Sequence, residues 1–302
     1  MELGMIGLGR MGANMTERLL RGRHRVTAYD RSPDAIKQVV AKGAVGANSL
    51  HAMAGALKPP RVVWLMVPAG DPVDQTIHAL VAHLKRDDVI VDGGNSNYKD
   101  SMRRATMLGE KGLHYVDVGT SGGIWGFTEG YSLMIGGEPE VVERLKPIFE
   151  TLAPAPDKGW GRVGPNGAGH FVKMIHNGIE YGMMEAFAEG FALIQRKTEF
   201  KFDLHQIAEI WRHGSVVRSW LLDLIAKALS ERPDLHGIRP HVEDSGEGRW
   251  TVFEAVDMEV SAPVITLSLL QRLRSRDEES FADRLLAMMR HEFGGHPVKK
   301  EE

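Results

Sequence analysis

The stretch LGMIGLGRMG, residues 3–12, limits what this chain can fold into more than any other. A strand-like apolar run enters GLGRMG, where Gly7, Gly9 and Gly12 follow the pattern G-x-G-x-x-G, and a helical segment continues to about Arg21. Glycines at this spacing allow a tight turn and leave backbone amides at a helix N-terminus open to an anion. Alone, the motif could be no more than a close-packed glycine turn. Its setting argues for more, because it lies at the first strand-to-helix turn. The next strand-like run, RVTAYD, also ends in Asp30, about 20 residues on, where parallel βαβ units bind the ribose of a dinucleotide. On that reading Gly7, Leu8, Gly9, Arg10, Met11 and Gly12 surround a pyrophosphate. Asp30 favours NAD over NADP, since a carboxylate accepts from ribose hydroxyls and repels a 2′-phosphate. Arg31 keeps NADP open, because its guanidinium either meets that phosphate or lies against the adenine.

The alternation continues through RVVWLMV, VIVDGG, HYVDVGT and SLMIGG, each separated by a helix-length segment. Such a pattern predicts a mostly parallel sheet with helices on both faces. From about residue 167 only helical periodicity remains, over 167–197, 203–230 and 262–291, and the Pro- and Gly-rich APAPDKGWGRVGPNG marks the approach to the change. The expected architecture is α/β: a Rossmann-type doubly wound domain over 1–166, an all-α domain over 167–290 and a C-terminal tail, 291–302.

A chain of 302 residues, 43% hydrophobic, can bury two such cores. Its net charge of −3 gives no footprint for nucleic acid or an anionic membrane, so the expected partner is a small molecule. No window approaches the roughly 20 apolar residues of a membrane span, and the N-terminus lacks the features of a secretory signal. The absence of cysteine excludes disulfides, thiolate metal sites and a cysteine nucleophile, and suits a cytoplasmic protein.

Several polar stretches interrupt this framework. In HFVKMIHNGIEYG, residues 170–182, helical spacing puts Lys173, His176, Asn177, Glu180 and Tyr181 on one face. That face is either turned to a ligand or is a solvated face of varied composition. MVPAG, with Val67 and Pro68, ends a strand in a loop that borders the cofactor or merely turns the chain. GGNSNY, with Asn95, and GTSGG, with Ser121, Gly122 and Gly123, fall where such sheets bind ligands, outside the carboxyl ends of strands. Each read alone is equally a glycine turn with local hydrogen bonds.

Taken together, GLGRMGANM, DGGNSNYKDS, VGTSGG with SLMIGG, GHFVKMIHNGIEYG, WRHGSVVRSWL, GRWT and FGGH resemble the decarboxylating 6-phosphogluconate dehydrogenases. The match runs in order along almost the whole chain, at the length of the family's short form. The helix motif is its most specific part, since the wider β-hydroxyacid dehydrogenase superfamily shares the glycine and SGG loops. The resemblance implies oxidative decarboxylation of 6-phospho-D-gluconate with NAD as preferred cofactor and NADP as the other option, without a metal. Lys173 matches the general base, which must start neutral, as burial beside a cationic nicotinamide favours. Glu180, about 10 Å along the helix, matches the acid that protonates the enediol left by carbon dioxide. His176 and Asn177 correspond to residues holding substrate hydroxyls. Asn95 and the Ser121, Gly122 and Gly123 loop correspond to the carboxylate end, Asn95 also bordering the cofactor. Tyr181, Arg274, Arg290 and His296 correspond to the phosphate site. In the family the RHEFGGH tail reaches a partner's site, implying a homodimer or homotetramer.

One departure stands out. The long form has a Lys and a Thr on phosphate in a glycine-rich loop before GRWT, whereas this chain has DSGEGRWT, with Arg249 as the nearby cation. The competing readings are a β-hydroxyacid dehydrogenase that does not decarboxylate and a catalytically silent nucleotide sensor. Glu180, Tyr181 and the tail argue against the first, and Lys173 against the second.

Overall fold

Short apolar runs flanked by glycine and proline become strands, and the segments between them become helices. A computed structural model describes residues 1–294 and 297–299, and the chain divides into two compact units, Met1–Asn177 and Gly178 onward. The first unit runs β1 (Glu2–Ile6), α1 (Arg10–Arg21), β2 (Arg25–Tyr29), α2 (Pro33–Val40), β3 (Val45–Gly46), α3 (Leu50–Ala56), β4 (Val62–Leu65) and α4 (Asp71–Val81). It continues through β5 (Val89–Asp92), α5 (Tyr98–Gly109), β6 (His114–Ser121), α6 (Gly126–Glu129), β7 (Ser132–Gly136), α7 (Pro139–Leu152) and β8 (Trp160–Gly164), and closes with the first ten residues of α8 (Ala168–Arg196).

The eight strands form one sheet in the order β3-β2-β1-β4-β5-β6-β7-β8. All neighbours pair in parallel except β6 with β7. The order 3-2-1-4-5-6 of its first six strands is that of doubly wound dinucleotide-binding sheets, with the chain reversing direction of growth between β1 and β4. β4 and β5 are buried at every residue, as strands covered on both faces must be. Two hydrophobic clusters fill the space beside the sheet, one around Met15, Trp64, Val118 and Phe149, the other around Leu65, Ile77, Ile90 and Tyr115. Side-chain caps start several helices: Ser32 accepts from the Ala35 amide, Ser49 from Ala52 and Asn97 from Lys99, each worth about 1 kcal/mol.

β8 lies inside the Pro- and Gly-rich stretch expected to be a break. Its WGRVG pairs with β7 at the sheet edge, where Gly is tolerated because only one neighbour must be matched.

The second unit is helical: the rest of α8, then α9 (Leu204–Arg212), α10 (Trp220–Glu231), α11 (Glu247–Asp257), α12 (Pro263–Arg274) and α13 (Phe281–Gly294). The periodicity over 203–230 resolves into two helices, because Gly214 at φ +78 turns the chain and Ser219 caps α10 by accepting from Leu222. Phe191, Ala208, Leu222, Ala226 and Leu229 form the buried centre of α8, α9 and α10. α11 and α12 approach α8 at glycines. A Cβ on Gly178 would lie 2.7 Å from Thr251 Cγ2, and one on Gly182 3.1 Å from Val264 Cγ1. No helix among the described residues is long and apolar enough to cross a membrane.

Candidate active site

At the carboxyl ends of β1, β2, β4 and β5 the first unit has a cleft of about 680 Å³. Gly7, Gly9, Arg10, Met11, Gly12, Asp30, Arg31, Val67, Pro68 and Asn95 line it. The three motif glycines serve different purposes there. Gly7 sits at φ +89, and a Cβ on it would collide with the Met66 carbonyl; one on Gly12 would collide with the carbonyl of Gly7. Gly9 has nothing within 4 Å of a Cβ position, so its backbone faces open space at the start of α1, where a pyrophosphate could approach. This open cradle fits a dinucleotide. Leu8, expected at the cofactor, does not line the cleft: its side chain is buried in the core and its amide donates to Asp30. α4 adds Gln75, Thr76 and Ala79 to the lining, residues without a motif of their own that are placed only by β4 leading into that helix.

Asp30 is tied in place: Oδ2 accepts from the Leu8 amide at 2.6 Å and Oδ1 from Ser32 at 2.8 Å. The carboxylate therefore bridges the glycine turn to the end of β2, and its remaining lone pairs are those available to a ribose.

The Asn95 loop is held from below and from the side. Asp92, fully buried, accepts from Ser96 Oγ at 2.7 Å, Tyr115 OH at 2.8 Å and the Gly94 amide at 3.0 Å. Arg104 completes this cluster, reaching Asp92, Asp74 and the Gly70 carbonyl. Burial works against its charge, yet the hydrogen bond to Asp74 and the nearby Asp92 carboxylate hold its pKa above the usual arginine value. Asn95 itself, at φ 53, pairs with both backbone groups of Thr120: Oδ1 accepts at 2.8 Å and Nδ2 donates at 3.1 Å. The GGNSNY and GTSGG loops are thus adjacent, with Ser121 at the end of β6 and Gly122 and Gly123 at φ +127 and +50. The positive φ values explain the glycines.

Lys173 is buried, only 4% exposed, in the first turns of α8. Its amine donates to Asn177 Oδ1 and lies 3.4 Å from His176 Nδ1. The imidazole nitrogen is also 3.1 Å from Asn177 Oδ1. With the proton on Nε2 it accepts from the lysine, and with it on Nδ1 it donates to the amide. The two residues expected to hold substrate hydroxyls therefore also surround the lysine amine.

In the second unit Tyr181 is buried, and its hydroxyl accepts from the Ser245 amide at 3.3 Å. Gly248 leaves room for the ring, since a Cβ there would collide with it. The Arg272 guanidinium stacks 3.4 Å from the ring centroid. Arg274 points elsewhere, to Asp283 and the Asp277 carbonyl. Arg249 is paired with Asp244 at 2.6 Å, and Ser245 Oγ donates to Glu247 at 2.5 Å. Arg290 lies exposed on α13, and His296 falls outside the described residues. Among the described residues no three His, Asp or Glu side chains are arranged to hold a metal ion.

Comparison with known proteins agrees with this geometry. The family model described as the NAD binding domain of 6-phosphogluconate dehydrogenase matches residues 2–161, and that of the 6-phosphogluconate dehydrogenase C-terminal domain matches 169–292. The chain is 43% identical over 303 residues to an NAD(+)-dependent, decarboxylating 6-phosphogluconate dehydrogenase of Haloferax volcanii, covering 100% of each chain. It is 36% identical over 292 residues to the NADP(+)-dependent, decarboxylating enzyme of Bacillus subtilis, covering 92% of this chain and 62% of that one. Among solved structures, 6-phosphogluconate dehydrogenase of Plasmodium falciparum superposes with a TM-score of 0.84 at 28% identity, covering 100% of this chain and 67% of that one. Two consecutive family models across both units and full-length identity of this order establish that the chain belongs to the 6-phosphogluconate dehydrogenase family.

Proposed function

We propose that the chain catalyses oxidative decarboxylation of 6-phospho-D-gluconate to D-ribulose 5-phosphate and carbon dioxide, with NAD as the preferred oxidant. The observation that carries the reading is the buried Lys173, whose amine is held by Asn177 and His176 on the same helix that presents Glu180 seven residues later. Gly7, Gly9, Gly12 and Asp30 would hold NAD, which when bound would accept the hydride. Lys173 removes the proton of the substrate hydroxyl β to the carboxylate and then, protonated, donates a hydrogen bond to the new ketone oxygen. With the ketone β to the carboxylate, the C–C bond electrons of the departing carbon dioxide pass into an enediol, so no metal is required. Glu180 donates a proton to the carbon that lost carbon dioxide.

Asn95 and the Ser121 to Gly123 loop take the carboxylate end. Tyr181 takes the phosphate with Arg272, which replaces Arg274 in this role because of its place on the Tyr181 ring. Arg290 and His296 act on a partner's phosphate site in a homodimer or homotetramer. The exposed Phe281, Leu285, Leu286 and Met289 of α13 support pairing with a second copy. This reading places the activity in the cytoplasm, which a chain without cysteine suits.

A second reading rests on Glu247, whose carboxylate meets Ser245 next to the Tyr181 hydroxyl. An acid there suits an unphosphorylated hydroxy acid better than a phosphate. Comparing kcat/KM for 6-phosphogluconate, gluconate and 3-hydroxyisobutyrate separates the two. The first reading requires 6-phosphogluconate to lead by at least ~100-fold, the order of one lost charge-assisted contact. Equal or reversed preference would sink it.

A further inference from the structure

We propose that Asp117 is a positioning residue for Lys173: its buried carboxylate pins the first turn of α8 to the sheet and so fixes where the lysine amine stands. This rests on the role given to Lys173 above. Asp117 lies on β6 and is fully buried. Its Oδ1 accepts from the Gly167 amide at 2.6 Å and its Oδ2 from the His170 amide at 2.9 Å. These amides stand at the start of a helix, where no preceding turn supplies a carbonyl, and negative charge is favoured there by the helix dipole. Gly136 makes the seat for the carboxylate, because a Cβ on it would lie 2.5 and 2.7 Å from the two oxygens.

Residue 119 is on the same face of β6 as 117. Gly119 meets the lysine directly: a Cβ there would collide with Lys173 Cβ and lie 2.7 Å from the Gly169 carbonyl. Gly169 in turn sits on bare backbone, its Cβ position 2.5 Å from the Met134 carbonyl and 2.6 Å from that of Asp117. At Gly169 the helix therefore rests directly on strand backbone, and at Gly119 only the Lys173 stem lies between. Two residues of strand advance about 6.6 Å and four residues of helix about 6 Å, so the contacts at 117 and 119 keep step with residues 169 and 173. Sliding or rotating α8 would break both at once. A second hold comes from α5, where Ser101 Oγ lies 2.7 Å from His170 Nδ1. The carboxylate itself never touches substrate; it acts by setting the position of the base, on which proton transfer depends steeply.

Asp117→Asn keeps the shape but turns one acceptor into a donor facing an amide. In the full-length enzyme with NAD and 6-phosphogluconate, kcat per NAD-binding site should fall at least ten-fold, while KM for both substrates stays within three-fold. The primary deuterium isotope effect for substrate labelled at the oxidised carbon should rise. Hydrogen exchange of the 167–173 amides should quicken at least ten-fold, with β1 and β2 unchanged. A purely structural role would lower the number of NAD sites and leave kcat per site alone. Parental kcat per site, or unchanged exchange at 167–173, overturns the proposal. Should Asp117→Asn fail to fold, Gly119→Ala carries the test by displacing the Lys173 stem, and parental kcat per site in that variant overturns the proposal equally. A parent enzyme that binds NAD yet reduces none with 6-phosphogluconate would refute the proposed function separately. Exchange at 167–173, and the rate at which Lys173 is acylated by acetic anhydride, decide the role of Asp117 without turnover: both must rise in Asp117→Asn.

Discussion

His24 offers a quantitative test of the packing between α1, β2 and α7. Its ring is buried, 7% exposed, with Nε2 2.8 Å from Thr151 Oγ1. The threonine hydroxyl already donates to the Pro147 carbonyl at 2.9 Å, so Nε2 must carry the hydrogen in this pair. Nδ1 is left buried, with no partner among the described residues. Protonation would place a charge and an unmatched N–H there. Burial, helped by the N-terminal ammonium, depresses the pKa from 6.5 to about 4. In the unfolded chain the imidazole titrates normally, so below pH 6.5 the unfolded state binds the extra proton first. The stability from keeping His24 neutral is thus complete above pH 6.5, is lost progressively as pH falls from 6.5 to about 4, and is gone below that. A shift from 6.5 to about 4 amounts to about 3 kcal/mol, of which roughly 2.5 kcal/mol is lost by pH 4.5. His24→Gln, which keeps a donor toward Thr151 but cannot titrate, should remove that loss. Urea denaturation of parent and variant from pH 7.5 to 4.5 measures it as a pH-dependent difference between the two. A difference that stays flat within about 0.5 kcal/mol would refute the burial argument.

Further expectations concern the site. Lys173→Ala should lower oxidation by about 10²–10⁴-fold while NAD affinity, measured by fluorescence titration, stays near parental; a parental rate would remove the lysine from the mechanism. Arg272→Ala should raise KM for 6-phosphogluconate by roughly 10–100-fold and Arg274→Ala by little, with steady-state kinetics decisive if the order is reversed. Gly12→Ala should destabilise the first unit by about 1–3 kcal/mol and abolish NAD binding, because the added methyl meets the Gly7 carbonyl. Calorimetry with and without NAD would show whether both effects occur.

The doubly wound sheet was legible because its signals are local: glycine spacing, buried apolar runs and an acid at the end of β2 follow from the chain within about 30 residues. β8 was not, since WGRVG carries no alternation and becomes a strand only through β7. The helix face of Lys173, Asn177 and Tyr181 was visible from period alone. That His176 and Asn177 surround the lysine amine depends on rotamers that no spacing encodes. Arg272 and Arg274 differ by 200° around α12, and which of them meets Tyr181 is fixed by helix packing. Asp117 carries no local signal as one acid in a buried strand, because its partners lie 50 and 53 residues away in sequence.

In the proposed mechanism one helix carries both the base for oxidation and the acid for the decarboxylated intermediate. Measuring NADH formation and carbon dioxide release together, with 6-phosphogluconate in the parent and in Glu180→Gln, tests it most directly. The parent should release one carbon dioxide per NADH and prefer NAD over NADP, and the variant should form ribulose 5-phosphate more slowly. NADH formed without carbon dioxide, or ribulose 5-phosphate formed by Glu180→Gln at the parental rate, would contradict it.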